Sequence, residues 1–193
     1  MPRYKIQRNN IVTAEETLAL IEKMGNPMDK SMVAMLYLFG CRPCELRMLE
    51  KKDIRVHEGE GKLWVNMPTR KKPRNKTYLV TNTRWVWAFL SDPLVDVIRN
   101  HIAELNNEEK PWHYGASEKS ANVMLNRKLK THNPNVCPYL FRHSRLTKLA
   151  ENGATESELT LWAGWEDSRP AKNYVHRTKL MSTNVPQTNT AEE

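Results

Sequence analysis

The sequence has little of the material from which membrane spans and disulfide frameworks are built. No apolar run approaches the ~20 residues that cross a bilayer, and the opening residues MPRYKI lack the apolar segment of a secretory signal. Three cysteines, an odd number in a chain of 193 residues, argue against a disulfide framework and for a reducing compartment. We therefore expect a cytoplasmic protein with no membrane partner.

Acidic residues are outnumbered by basic ones. The chain has 30 Lys and Arg against 22 Asp and Glu, a formal net charge of +8 and a pI near 9.4. This excess favours a polyanionic partner, because a basic protein that neutralises phosphates releases their condensed counterions. No internal repeat or interior low-complexity linker divides the sequence. We expect a basic arm over residues 1–10, one folded domain over 11–178 and a flexible tail over 179–193.

Helical patterning dominates the chain. A capping box, TAEE at residues 13–16, precedes an apolar stripe and predicts a helix over about 14–24. The apolar segment 28–39 ends at Gly40 and favours a buried helix, and Pro43 begins a short helix through Leu49. Further helices are predicted at about 93–105, 118–130, 141–152, 156–163 and 169–178.

A small antiparallel sheet is predicted between these helices. Its strands are segments rich in β-branched and aromatic residues, at 54–57, 62–67 and 77–81. The acidic turn EGEG separates the first two, and the basic turn PTRKKPRNK separates the last two. The expected fold class is therefore α+β, mainly α with a small antiparallel sheet.

The basic turn carries five cations and no acid: Arg70, Lys71, Lys72, Arg74 and Lys76. Such a run is either a solvated hairpin tip or a patch that contacts phosphates. Successive strand residues point to opposite faces, so at most one of Lys71 and Lys72 projects into a site beneath the sheet. The sequence leaves open which of the two it is.

Four other residues are candidates for phosphate chemistry. Arg42 follows the buried helix, and Glu45 three residues later either orients it for function or forms a purely structural pair. Arg142 and Tyr139 are spaced i, i+3 and share a face if that segment is helical. Tyr174 lies in a short helix among basic residues. With Lys71, these residues suggest two guanidinium groups, one ammonium and one of the two phenols converging on a phosphate.

A zinc site is the competing interpretation of CRPC at residues 41–44. A structural zinc ion takes four ligands, usually from two closely spaced pairs. The second pair would be His132 and Cys137, which has the wrong spacing. We expect Cys41 and Cys44 to be small apolar fillers, and no metal or other cofactor.

Four stretches together resemble the tyrosine recombinase (phage integrase) family. They are GCRPCEL (40–46), FRHSRLT (141–147) with Leu149 and Gly153, GW (164–165) and YVH (174–176), in the family's order. The nine-residue step from Trp165 to Tyr174 is similar to the family's spacing. The resemblance covers about residues 11–178, which it implies are a catalytic domain with the tyrosine recombinase fold. Phe-Arg-His and Gly-Trp look similar to archaeal members.

The resemblance implies a role for each matched residue. Arg42 and Arg142 would clamp the non-bridging oxygens of the scissile phosphate, and Trp165 would donate a hydrogen bond to it. Lys71 would protonate the departing 5′ oxygen, while Tyr174 would be the nucleophile. Trp165 also admits a plain packing role, because a large aromatic ring after a helix often belongs to a core. His143 and the remaining cations of the basic turn are expected to contact DNA.

The sequence departs from the family pattern in two places. Tyr139 stands where the family usually has histidine or lysine, and a neutral phenol is a poor proton acceptor, so His143 or water would take the general-base role. The family generally has an N-terminal helical domain that closes a clamp around DNA, and here about ten residues precede the first predicted helix. We expect weak, salt-sensitive binding to a generic duplex.

The sequence supports one leading hypothesis and two alternatives. The leading one is a site-specific recombinase or integrase that cleaves and rejoins DNA through a 3′-phosphotyrosine, without metal or ATP, during integration or excision of mobile DNA. The alternatives are nicking and closing like a type IB topoisomerase, and a DNA-binding module that no longer cuts. The expected partners are double-stranded DNA and other protomers assembled on it, with exchange of the C-terminal tail.

Overall fold

The computed structural model describes residues 11–71, 80–115 and 117–183. Backbone contacts divide the chain into two compact units, Met1–Arg145 and Leu146–Glu193, with the boundary inside one helix. Each unit is described here by itself. The domain limits predicted from the sequence stay a prediction.

The first unit combines helices with a three-stranded antiparallel sheet. Its strands, β1 (Ile54–His57), β2 (Lys62–Lys71) and β3 (Val80–Phe89), lie in the order β1-β2-β3. The helices of this unit are α1 (Ala14–Glu22), α2 (Pro27–Phe39), α3 (Pro43–Met48), α4 (Pro93–Ile102), α5 (Glu118–His132) and the first half of α6 (Pro138–Glu151). The predicted class, mainly α with a small antiparallel sheet, is confirmed.

Helix α2 is the centre of this unit. Residues 32–36 along it are all fully buried, which a helix achieves only when neighbours cover every side. Asn26 caps its first turn by accepting from the Met28 N–H at 2.8 Å. Gly40 ends it in the left-handed conformation with φ of 59°, as the sequence predicted. The chain therefore leaves α2 at a fixed angle immediately before Arg42.

The two faces of the sheet differ in chemistry. Leu63, Val65 and Met67 of β2 are fully buried beneath it, as is Val86 of β3. The opposite face carries aromatic rings that pack edge to face or at a tilt, with ring centroids 4.9–6.4 Å apart. Cationic groups lie over those rings at 4.6–5.5 Å. The members of this face are Arg55, Lys62, Trp64, Trp85, Trp87 and Phe89.

The third strand is where the sequence-based prediction was wrong. It was expected at 77–81, but β3 runs from Val80 to Phe89 and pairs with β2 along its whole length. Residues 77–79 lie outside the described residues. The aromatic and β-branched residues after Thr81 alternate between the two faces, which is the period of a strand. The predicted acidic turn is confirmed, since Glu58–Glu60 forms a 3-10 turn that ends at Gly61 in the left-handed conformation.

The second unit is a small helical cluster. The second half of α6 packs with α7 (Glu156–Ala163) and α8 (Arg169–Thr183) around Leu146, Ala150, Leu159, Ala163 and Ala171. Thr155 and Glu158 form the predicted capping box of α7, and Gly164 ends that helix in the left-handed conformation. Helix α8 continues to Thr183 instead of ending near residue 178. No helix among the described residues has the length and apolar character needed to span a bilayer.

Candidate active site

Arg42 is fixed by the glutamate that follows it. The backbone N–H of Arg42 donates to Glu45 Oε2 at 2.9 Å, and its Nη1 donates to Glu45 Oε1 at 2.6 Å. No described residue accepts a hydrogen bond from its Nε or Nη2. The Arg42 side chain stays 33% exposed while Glu45 is fully buried. The arginine is therefore anchored on one edge and accessible to a ligand on the other.

Glu45 accepts from a second arginine as well. Arg84 of β3 donates through Nη2 to Glu45 Oε2 at 3.0 Å and through Nη1 to Oε1 at 3.4 Å. Its side chain is only 9% exposed. Each carboxylate oxygen of Glu45 thus accepts from both arginines, which satisfies a buried carboxylate that would otherwise be costly to desolvate.

These charges decide the ionisation of Glu45. Burial alone would raise the pKa of Glu45, but the guanidinium groups of Arg84, Arg42 and Arg142 outweigh burial and hold the pKa below the ordinary value of 4.5. Glu45 is therefore an anion at neutral pH. The three arginines that face it retain a net positive charge around it, which suits the binding of a phosphate.

The lowered pKa of Glu45 predicts a pH dependence of stability. Because the pKa in the folded state lies below 4.5, the stabilisation is complete above about pH 4.5 and is lost as pH falls through the folded pKa. Glu45→Gln is expected to cost about 3 kcal/mol at neutral pH, since it leaves buried cations without their anion.

The measurement is urea unfolding between pH 7 and pH 3. The free energy of unfolding of the wild type should approach that of Glu45→Gln as pH falls, because protonation removes the same charge. Glu104→Gln, at an exposed position after α4, is the control and should follow the wild type throughout. Parallel curves for wild type and Glu45→Gln would contradict the assignment.

Arg142 lies near the pair that Arg42 forms with Glu45. It is only 6% exposed, and its Nη1 donates to the backbone oxygen of Gly40 at 2.8 Å. A Cβ at Gly40 would meet Arg145 Cβ at 3.1 Å and Arg142 Cα at 3.4 Å, so α6 packs directly on the end of α2. This close approach holds the Arg142 side chain against Gly40, which lies two positions before Arg42 in the sequence. The structure therefore brings together the arginines of the two predicted boxes.

The residues around Arg142 take different positions. Helix α6 begins at Pro138, three residues before the predicted start at about 141, so Arg142 lies in its second turn. Tyr139 is 62% exposed, so it does not share the buried face of Arg142. His143 is half-buried. Ser144 is structural, since its Oγ accepts from the Val12 N–H at 2.8 Å and donates to the Leu140 oxygen at 2.8 Å.

The basic segment is described only at its edge. Lys71 is the last residue of β2 and pairs with Val80 in the strand register. Lys72, Arg74 and Lys76 lie outside the described residues, as do the side chains of Arg70 and Lys71. The predicted acid role of Lys71 and the DNA contacts of the other four cations stay predictions.

Trp165 and Tyr174 meet within the second unit. Their rings stack with centroids 6.0 Å apart and an interplanar angle of 28°. The backbone N–H of Trp165 donates to the backbone oxygen of Thr160 at 3.0 Å, which fixes the chain just after Gly164. Tyr174 is half-buried on α8, not fully exposed. The Tyr174 ring is thus held in place by the Trp165 ring.

The cysteines take part in packing. Cys41 is 1% exposed, its thiol lies 3.7 Å from the Met35 oxygen, and burial raises its pKa. Cys44 is half-buried. Among the described residues, no group of three or more His, Cys, Asp or Glu side chains is arranged to hold a metal ion.

Arg84 is the functional candidate that the sequence did not reveal. Its contact with Glu45 crosses 39 positions of sequence and depends on the pairing of β3 with β2, the strand that contacts α3. The signal was present in the alternation of β3, where Arg84 has the same parity as the buried Val86 and Ala88. A strand predicted through Phe89 would have placed this arginine on the inner face.

The family model described as "Phage integrase family" matches residues 10–181, and the chain belongs to that family. The resemblance inferred from the four boxes is confirmed.

The chain is similar to several recombinases. The tyrosine recombinase XerD of Staphylococcus saprophyticus is 26% identical over 184 residues, which cover 92% of this chain and 61% of that protein. XerD of Staphylococcus aureus is 24% identical over the same shares. The chain thus spans about three fifths of the length of these curated relatives. The similarity to archaeal members stays a prediction.

Solved structures share the fold. The crystal structure of XerA recombinase superposes with a TM-score of 0.61 at 16% identity, covering 97% of this chain and 68% of that one. The Tn1549 transposon integrase in complex with transposon right end DNA gives a TM-score of 0.59 at 13% identity, covering 93% and 67%. A lambda integrase dimer bound to a COC′ core site gives 0.53 at 14% identity, covering 90% and 49%. The predicted tyrosine recombinase catalytic-domain fold is confirmed.

Proposed function

We propose that this chain cleaves and rejoins DNA as the catalytic domain of a site-specific tyrosine recombinase, in integration or excision of mobile DNA. The observation that carries the proposal is the meeting of Arg42 and Arg142, 100 positions apart in sequence, beside the ionised Glu45. The net charge of +8 and the recombinase relatives add support.

The arginines supply electrostatic stabilisation. The exposed edge of Arg42 and the guanidinium of Arg142 bind the non-bridging oxygens of the scissile phosphate. Charge grows on those oxygens in the transition state, so preorganised donors stabilise it more than the ground state. Planar guanidinium groups match the geometry of phosphate oxygens. The indole N–H of Trp165 adds a further donor in the proposed complex.

Tyr174 supplies the nucleophile. Its phenol oxygen attacks phosphorus, the bond to the 5′ oxygen breaks, and the product is a 3′-phosphotyrosine. The phenol proton passes to a base, for which His143 or water is proposed because Tyr139 is a phenol. A 5′ hydroxyl then attacks the phosphotyrosine and restores the DNA backbone. The phosphodiester energy is kept in the protein–DNA bond, so neither ATP nor a metal ion is required.

Lys71 is proposed to protonate the departing 5′ oxygen. Lys71→Ala should slow cleavage of an ordinary phosphate by about 10²-fold or more, the scale of a lost general acid. A 5′-thio leaving group needs no protonation and should restore most of that rate. Lys72→Ala is the matched control. Rescue of Lys72→Ala and not of Lys71→Ala would move the role to Lys72.

The proposed partners are double-stranded DNA and other protomers assembled on that DNA, with exchange of the C-terminal tail. The lambda integrase structure is a dimer on DNA, which motivates this proposal. Free cysteines and a DNA substrate favour the cytoplasm. Tyr139 at the base position favours a second candidate, a DNA-binding module that no longer cuts.

A pool of nicked suicide duplexes with randomised sequence around the nick tests the function. Loss of the short fragment beyond the nick traps the covalent intermediate, and sequencing of the trapped DNA gives the target. A covalent band is expected under denaturing conditions. Binding in gel shifts without any band would favour the non-cutting module. Relaxation of supercoiled plasmid without a preferred sequence would favour topoisomerase-like nicking and closing.

A further inference from the structure

Arg84 occupies a position between two parts of the candidate site. Its backbone is paired with Met67 of β2, and its side chain points inward beneath the sheet. There Nη1 donates to Thr69 Oγ1 at 2.5 Å, while Nη2 and Nη1 reach the two oxygens of Glu45. One guanidinium group therefore joins strand β2, two residues before Lys71, to the glutamate that holds Arg42.

Burial distinguishes the two arginines that share Glu45. The side chain of Arg42 is 33% exposed, whereas that of Arg84 is 9% exposed. Arg84 is therefore enclosed by protein, and Arg42 presents the accessible edge. Arg84 has no open face for a substrate, so its effect on chemistry passes through Glu45 and β2.

Arg84 lowers the pKa of Glu45 more than the other two arginines do. After burial, which raises the pKa of Glu45, Arg84 exerts the strongest opposing effect, ahead of Arg42 and Arg142. The pKa of the Cys41 thiol is raised first by burial and then by the negative charge of this carboxylate. With Arg84 holding the carboxylate as an anion, Arg42 needs only Nη1 for the ion pair. Its Nε and Nη2 are then available to a phosphate.

We propose that Arg84 is a positioning residue: it fixes Glu45 so that Arg42 faces the phosphate, and it aligns the strand that carries Lys71 with that arginine. The inference rests on the proposed cleavage function. It assigns a role to a residue outside the four sequence boxes. It also explains why a buried arginine is placed beneath this sheet where an apolar side chain would pack more simply.

Single-turnover cleavage of a trapped suicide duplex tests the inference. Arg84→Gln is expected to lower the cleavage rate about 10- to 100-fold, the cost of misplacing a catalytic group, with duplex affinity changed less than about threefold. Arg84→Lys keeps the positive charge but loses the planar guanidinium group, so its cleavage rate should fall between those of the wild type and Arg84→Gln. Arg55→Gln, on the outer face of the same sheet, is the control and should cleave at the wild-type rate.

Two readouts separate positioning from a general structural role. Without Arg84 the pKa of Glu45 rises, so the acid limb of the rate profile of Arg84→Gln should move to higher pH. A double variant Glu45→Gln with Arg84→Gln should lose less than the two single losses combined, because part of the effect of Arg84 passes through Glu45. Thermal unfolding of each variant confirms that it is folded.

The outcomes distinguish this inference from the proposed function. If the wild type cleaves and Arg84→Gln shows the wild-type rate and rate profile, the positioning role is wrong and the function stands. Additive losses in the double variant would equally overturn the route through Glu45. If the wild type forms no covalent product, the function fails. The link from Arg84 to Glu45 is then decided by urea unfolding of Arg84→Gln against pH: an acid transition shifted upward supports it, and an unshifted one contradicts it.

Discussion

Tyr174→Phe is expected to abolish the covalent complex with DNA, by more than about 10³-fold in yield per unit time. The substitution removes one oxygen, which is the proposed attacking atom. The phenyl ring that remains can still stack on Trp165 at the same centroid distance of 6.0 Å. The ring stacking in the second unit is therefore retained, and the free energy of unfolding should change by no more than about 1.5 kcal/mol, the scale of one hydrogen bond.

The measurement is the denaturing-gel assay with trapped suicide duplexes, run beside gel shifts. Tyr174→Phe should bind the duplex as the wild type does and give no covalent band. Tyr139→Phe is the matched control, because Tyr139 is 62% exposed on α6 and is not the proposed nucleophile. A band that persists in Tyr174→Phe and disappears in Tyr139→Phe would reverse the assignment.

Arg142→Lys is expected to have the second largest effect, a loss of about 10² to 10³-fold in cleavage rate. Lysine keeps the positive charge but lacks the planar fork that spans two phosphate oxygens. The side chain is 6% exposed and donates to the Gly40 oxygen, so the shorter reach of lysine also weakens that anchor. The loss should appear in the chemical step, with a smaller change in duplex affinity.

Arg145→Lys is the matched control for this variant. Arg145 lies one turn further along α6 and also packs beside Gly40, but it faces Tyr37 and Asp92 and has no proposed contact with phosphate. Both variants should lose similar thermal stability, and only Arg142→Lys should lose cleavage. Equal rates for the two variants would remove Arg142 from the phosphate site.

Local signals predicted the elements that position the site. The box of Thr13 and Glu16 gave the start of α1, and Gly40 gave the end of α2 because only a left-handed residue closes that helix. The same logic placed Gly164 before Trp165. These features are decided by residues within one turn of each other, so they can be read from the sequence directly.

Contacts between distant segments were harder to predict. The contact of Arg142 with the Gly40 oxygen joins positions 102 apart, and no local pattern encodes a backbone acceptor at that distance. Arg84 was missed for a related reason, since its inward direction follows from a strand whose extent was placed too early in the chain. The burial of Tyr174 against Trp165 likewise depends on packing between α8 and the end of α7.

The Tyr139 position shows where motif and structure give different information. The motif placed a phenol where the family usually has a base, and spacing suggested that it shares the face of Arg142. The structure leaves Tyr139 62% exposed while Arg142 is 6% exposed. The part that Tyr139 plays in proton transfer stays a prediction, as does the assignment of the base to His143 or water.

The central proposal is that Tyr174 forms the covalent bond to DNA and that Arg42 and Arg142 bind the scissile phosphate. Its most direct test is mass spectrometry of the trapped complex after nuclease and protease digestion. We expect a nucleotide linked through a 3′ phosphate to the peptide that contains Tyr174. A nucleotide attached to the Tyr139 peptide, or attached through a 5′ phosphate, would contradict it.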